Sequence, residues 1–133
     1  MIWFRTAFLL LATSIILGAF GAHALKNHLA PESLTAWQTG VMYLFIHSIA
    51  LILTSHLQQT SGCFGANFSW INRLFAFGVL LFSGSIFLLT TKELHGVNVS
   101  FIGPLTPIGG VCFIVAWILA AVSFSLKRKN NSQ

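Results

Sequence analysis

Four apolar runs dominate the chain, from about Thr6 to Ala24, Thr39 to Leu57, Ile71 to Thr90 and Pro107 to Leu126. A hydrocarbon core of about 30 Å needs roughly 20 apolar residues per helix, so each run is long enough to cross a bilayer. Arg73, at an edge, is the only Lys, Arg, Asp or Glu inside them. Lipid offers no partner to a backbone amide, so a spanning segment is either a helix or a strand of a closed barrel. The runs lack the alternation of barrel strands. The pattern therefore predicts an all-α fold: an integral membrane bundle of four transmembrane helices, one domain over residues 1–126, followed by a basic and polar tail, 127–133.

Composition agrees. Of 133 residues, 56% are hydrophobic and only 7% are charged. Soluble domains carry about 25% charged residues. The net charge of +5 comes from seven scattered Lys and Arg residues. A nucleic-acid binder would gather them on one face, so no nucleic-acid partner is expected and the lipid bilayer is. The charges also orient the bundle. With four spans both ends share a side, and that side holds Arg5, Arg73, Lys127, Arg128 and Lys129, against Lys26 and Lys92 opposite. The positive-inside rule then puts both termini in the cytoplasm. Glu32 and Glu93 fall on the outer side. A cleaved leader competes with this reading, because an A-x-A pattern, Ala22-His23-Ala24, follows the first run.

Punctuation marks the helix ends. Pro31 suits a first helical position, with Glu32 complementing the positive helix end, so the second helix is expected to start there and to hold Trp37 at headgroup depth. Asn67 or Ser69 is placed to cap the third helix, and Trp70 and Arg73 to mark its cytoplasmic interface. Thr106-Pro107 reads as a cap and first residue of the fourth. Gly109 and Gly110 behind it weaken a helical turn, which points to a close backbone approach. An anion held at that helix start is the alternative.

Within the spans, association in lipid relies on close packing and interhelical hydrogen bonds. Gly18 with Ala22, Gly40, Gly84, Gly109 and Gly110 are the candidate packing positions. His47 is the ionisable group nearest mid-membrane, and such a group is a functional candidate. Gly40, Tyr43 and His47 share a face, with Trp37 a turn further out. Counting inward from the span ends places Ser83 and Ser85 near the depth of His47, as possible hydrogen-bond partners. The candidate polar or ligand site is thus His23, Trp37, Tyr43, His47, Ser83 and Ser85. A neutral, structurally bonded His47 and a titrating or ligand-binding one both fit. His23 and His28 are five apart and do not share a helical face, so solvation at the interface accounts for them better than a metal. Cys63 and Cys112 show no metal spacing and suggest no disulfide framework. No hydrolase, P-loop, zinc-protease, haem or dinucleotide motif is present, so neither cofactor nor catalytic residue is assigned.

Four segments in order resemble a known family: Gly18-Ala19-Phe20-Gly21-Ala22-His23-Ala24-Leu25; Trp37-Gln38-Thr39-Gly40-Val41-Met42-Tyr43 with His47; Leu81-Phe82-Ser83-Gly84-Ser85; and Gly103-Pro104-Leu105-Thr106-Pro107-Ile108-Gly109-Gly110 before a span holding Trp117. Together they are similar to the YgdD-like small inner-membrane proteins, domain of unknown function family 423. The resemblance covers nearly the whole chain. It implies four transmembrane helices in the bacterial cytoplasmic membrane and a first helix kept in the mature protein. It implies no activity. Two departures from the family pattern count against an essential polar cluster around Tyr43: Met42 stands where Gln is usual, and Phe45 lies in an often more polar stretch.

Two roles follow. One is a non-enzymatic protein that packs with itself, as a homo-oligomer, or within a larger membrane complex. The alternative is a small transporter, or a ligand- or proton-binding protein, centred on His47 and oligomeric if it forms a pore. A membrane enzyme using His23 or His47 is a weaker third.

Overall fold

The four apolar runs are helices in the computed structural model, which describes residues 1–60 and 65–130. They are α1 (Ile2–His23), α2 (Pro31–Thr60), α3 (Gly65–Thr90) and α5 (Leu105–Asn130). A four-residue turn, α4 (Lys92–His95), and a 3₁₀ turn at Ser100–Ile102 lie in the last connection. All four long helices are apolar and long enough to cross a membrane.

The helices overrun the hydrophobic runs. Helix α2 does begin at Pro31, where the missing N–H costs nothing. Its 30 residues extend about 45 Å, more than a bilayer core. Helix α3 starts at Gly65, upstream of both Asn67 and Ser69, so neither caps it. Helix α5 starts at Leu105, and Pro107 falls third in its first turn, where an amide has no intrahelical partner. Thr106 is inside that turn and its hydroxyl meets Ser85 at 2.6 Å instead of capping. At the other end α5 continues through Lys127-Arg128-Lys129, read from sequence as a tail. Lys and Arg are good helix formers and suit a helix C-terminus. Cys63 lies outside the described residues.

The spans pack in chain order: α1 on α2, α2 on α3 and α3 on α5. Small residues let them approach. On α1 the buried positions are Ala7, Ser14 and Gly21, at heptad spacing. A β-carbon at Gly18 would touch Val41 at 3.4 Å. Ala22, the expected partner of Gly18, is exposed; Gly21 takes its place, because one residue of helical rotation turns Ala22 off the α2 seam.

The Gly21 seam holds Trp37. This indole is 4% exposed and donates Nε1–H to the Leu17 carbonyl at 3.0 Å. The ring faces the bundle and not the lipid: the missing side chain of Gly21 makes room for it, and Leu25 and Leu29 of the first connection fold over it. Deeper down, α2 and α3 are tied by fully buried Asn72. It accepts from the Thr54 hydroxyl at 2.6 Å and donates to Gln58 Oε1 at 2.8 Å. Arg73 lies over the exposed Trp70 ring, 4.8 Å from its centre.

Candidate functional site

Packing in chain order leaves a cleft between spans two apart, floored by the helix between them. One lies between α2 and α5 and has a volume of about 450 Å³. Tyr43 and His47 line it from α2, Phe113 and Trp117 from α5, and Phe82 of α3 forms its floor.

Helix geometry places His47. It lies one turn below Tyr43 on the buried face of α2, and its Nδ1 is 2.8 Å from the Tyr43 carbonyl. A carbonyl only accepts, so Nδ1 carries the hydrogen. On the other side the Trp117 indole donates to His47 Nε2 at 3.3 Å. Indole only donates, so Nε2 offers its lone pair. The two contacts select a single neutral tautomer. A second ring proton would aim one N–H at another. The imidazole is 5% exposed and stacks on Phe113, with centroids 3.6 Å apart and 12° between planes. Phe75 closes its inner side at 5.7 Å and meets Trp117 edge-on at 5.1 Å.

Tyr43 is held by rings as well. It stacks on Phe82 at 4.4 Å and lies 6.1 Å from Phe113. Its hydroxyl has no hydrogen-bond partner among the described residues, and the residue lines the cleft. The open side runs between Met42 and Ile46 of α2 and Ile114 of α5, all exposed on the flank of the bundle.

The six expected site residues divide. Tyr43 and His47 meet in the cleft. Trp37 belongs to the α1–α2 seam. Ser83 and Ser85 do not bond His47. Ser83 donates to the Gly40 carbonyl at 2.8 Å, and Ser85 bonds Phe82 and Thr106. Counting from the span ends mis-registered α2 against α3: Ser83 is level with Gly40, about 10 Å above His47 along the helix. His23 is exposed at the end of α1, away from the cleft. Among the described residues no three His, Cys, Asp or Glu side chains gather as a metal site.

The expected packing glycines divide too. Gly40 meets Phe87 and Ile86, and Gly109 meets Phe82, in tight contacts. Gly110 has room, 3.8 Å from Phe82, and edges the cleft. Gly84 touches no neighbour and opens on a second groove, of about 340 Å³, between α1 and α3. The α3 glycine that does pack is Gly78, where a β-carbon would sit 2.6 Å from the Phe113 ring. Sequence reasoning passed over Gly78, Phe82, Phe113 and Asn72. The signal was the three-and-four spacing Phe68, Ile71, Asn72, Phe75, Gly78, Val79 and Phe82, which excludes Gly84.

Comparison with known proteins bears on identity. The family described as "Protein of unknown function (DUF423)" matches residues 17–110. A UPF0382 membrane protein of Staphylococcus saprophyticus is 36% identical over 105 residues, 79% of this chain and 81% of its own. The UPF0382 membrane protein YwdK of Bacillus subtilis is 37% identical over 109 residues, 80% of this chain and 82% of its own. The UPF0382 inner membrane protein YgdD of Escherichia coli K12 is 34% identical over 120 residues, 89% of this chain and 86% of its own. No solved structure matches. With four apolar spans, the ordered motifs and relatives matched over most of their length, the chain belongs to the DUF423 family of membrane proteins, whose biochemical role is unknown.

Proposed function

We propose that the protein is a non-enzymatic binding protein of the bacterial cytoplasmic membrane, with both termini cytoplasmic, that takes a small lipid-phase molecule into the α2–α5 cleft. One observation carries the reading: a buried His47, fixed as one tautomer, stands in an aromatic-walled cleft open to the acyl-chain side of the bundle. Small-molecule sites are concave and mostly apolar, with a few placed polar groups, and about 300–1,000 Å³ in volume. The fixed tautomer argues against a proton relay, since a relay site must gain and lose the proton that these contacts hold in place.

Native mass spectrometry of the protein from lipid nanodiscs tests this. The parent is expected to retain a hydrophobic molecule that Gly110→Leu, which fills the cleft from its edge, releases. Equal adducts on both proteins would refute the site.

The second reading is assembly with another transmembrane helix, and Gly84 favours it. Gly84 is an open glycine on a groove lined also by Thr13, Ala76 and Ser83. Gly18, another of the expected packing glycines, is taken up inside the bundle by Val41. A cysteine at position 84 should form crosslinks in native membranes if a partner helix docks there; a wholly monomeric product removes this reading.

A further inference from the structure

Taking the α2–α5 cleft as the binding site, we infer that its ligand is of the quinone class: a neutral, flat, carbonyl-bearing ring on an apolar tail. The inference rests on the reading above and adds the chemistry of the ligand.

Counting donors narrows the class. His47 has none left, because its one N–H is on the Tyr43 carbonyl and its lone pair receives the Trp117 indole. The Tyr43 hydroxyl is uncommitted among the described residues. An apolar cleft offers a hydroxyl on its wall no acceptor of its own, so a ligand that brings one, such as a carbonyl oxygen, is favoured there.

Charge narrows it further. Among the described residues no Lys, Arg, Asp or Glu lines the cleft. An ion there would be unpaired at membrane depth, which is strongly disfavoured. A phospholipid whose ester reached Tyr43 would bring its charged headgroup along.

Shape supplies the rest. Tyr43, Phe82, Phe113 and Trp117 line the cleft with aromatic rings, and Gly110 adds no side chain at its edge. Such walls favour a planar ring over a branched chain. The mouth lies between Met42, Ile46 and Ile114, exposed by 51%, 46% and 60%. A tail leaving there enters the acyl chains. About 450 Å³ holds a ring head and the start of a tail.

The test is photolabelling of the protein, in phosphatidylethanolamine and phosphatidylglycerol nanodiscs, with a short-tailed azidoquinone. Label is expected on residues 42–47 and 110–117, competed by unlabelled decylquinone and not by methyl oleate. Tyr43→Phe removes one oxygen and keeps the ring packing. It should raise half-saturation about two- to tenfold, the range of a single hydrogen bond. An unchanged half-saturation in Tyr43→Phe overturns the donor argument and with it the ligand class. Equal competition by methyl oleate also overturns the class while leaving the cleft as a binding site. Label spread over all spans in proportion to lipid exposure overturns site and class together.

Discussion

Gly109 offers a quantitative test of the bundle. In the first turns of α5 it crosses α3 so closely that an added β-carbon would lie 2.5 Å from the Phe82 nitrogen, 2.8 Å from its Cβ and 2.9 Å from its Cα. The nitrogen and Cα are backbone atoms of α3, which cannot swing aside. Ordinary contact begins at 3.4 Å, so Gly109→Ala must part α3 and α5 by roughly 1 Å. Overpacking costs about 1–3 kcal/mol, and rigid backbone puts this case in the upper half. Alanine returns about 0.5–1 kcal/mol of helix propensity. The net loss is about 1–2.5 kcal/mol, a factor of about 5 to 70 in the folded ratio. Gly84→Ala is the control within the same protein. Nothing lies within 4 Å of its new methyl group, so only the propensity gain of up to about 1 kcal/mol remains. Equilibrium unfolding in dodecylmaltoside micelles titrated with SDS, followed by tryptophan fluorescence, should separate the two variants by about 2–3 kcal/mol. A separation under about 0.5 kcal/mol, well below the overpacking range, would mean that α3 and α5 do not cross at these residues.

Asn72→Leu removes the bonds to Thr54 and Gln58. Interhelical hydrogen bonds in bilayers average about 0.6 kcal/mol each, so the same titration should show a loss of about 1–2 kcal/mol; no loss would leave the buried amide without a structural role. Gly21→Ala puts a methyl group 2.6 Å from the Trp37 indole. It should destabilise by about 1–3 kcal/mol, and adding Trp37→Leu should recover part of that loss, a non-additivity that a double-mutant cycle reads directly. For orientation, Ser132→Cys in a background lacking Cys63 and Cys112 should react with an impermeant maleimide only in inside-out vesicles, and Asn27→Cys only in spheroplasts; the reverse pattern inverts the bundle.

The spans were legible because their signal is one of run length, which survives ignorance of neighbours. Their ends were less so. Leu105 and Ile2 start helices that hydropathy alone places later, because a helix stops where its backbone loses partners and not where its side chains turn polar. His47 stood out for the same reason the spans did, as a rare ionisable group among apolar residues. Its partners did not. Phe113 and Trp117 lie on another helix, and which residues face His47 depends on the rotation and axial register of α2, α3 and α5. Counting from span ends assumes that helices begin level. Here the Ser83 hydroxyl on the Gly40 carbonyl fixes a different level, and the serines end above the cleft. Trp37 shows the same limit. Hydropathy alone does not show that its ring is buried between α1 and α2, where Gly21 opposite leaves a slot of its size.

The two grooves between spans two apart differ in what their polar groups are doing. In the α1–α3 groove Thr6 and Thr13 return their hydroxyls to carbonyls of their own helix at 3.1 and 2.8 Å, and Ser83 is spent on Gly40. Those hydroxyls are spent within the protein, and lipid chains or another helix can fill this stretch of the groove without loss. In the α2–α5 cleft the aromatic rings hold one another and His47 is committed at both nitrogens, yet the Tyr43 hydroxyl has no hydrogen-bond partner among the described residues. Association in lipid lacks the hydrophobic drive that would close such a gap in water, so an aromatic cleft with one unspent donor can persist between spans. The asymmetry between the grooves adds to the placement of His47 in directing the functional reading to the α2–α5 side.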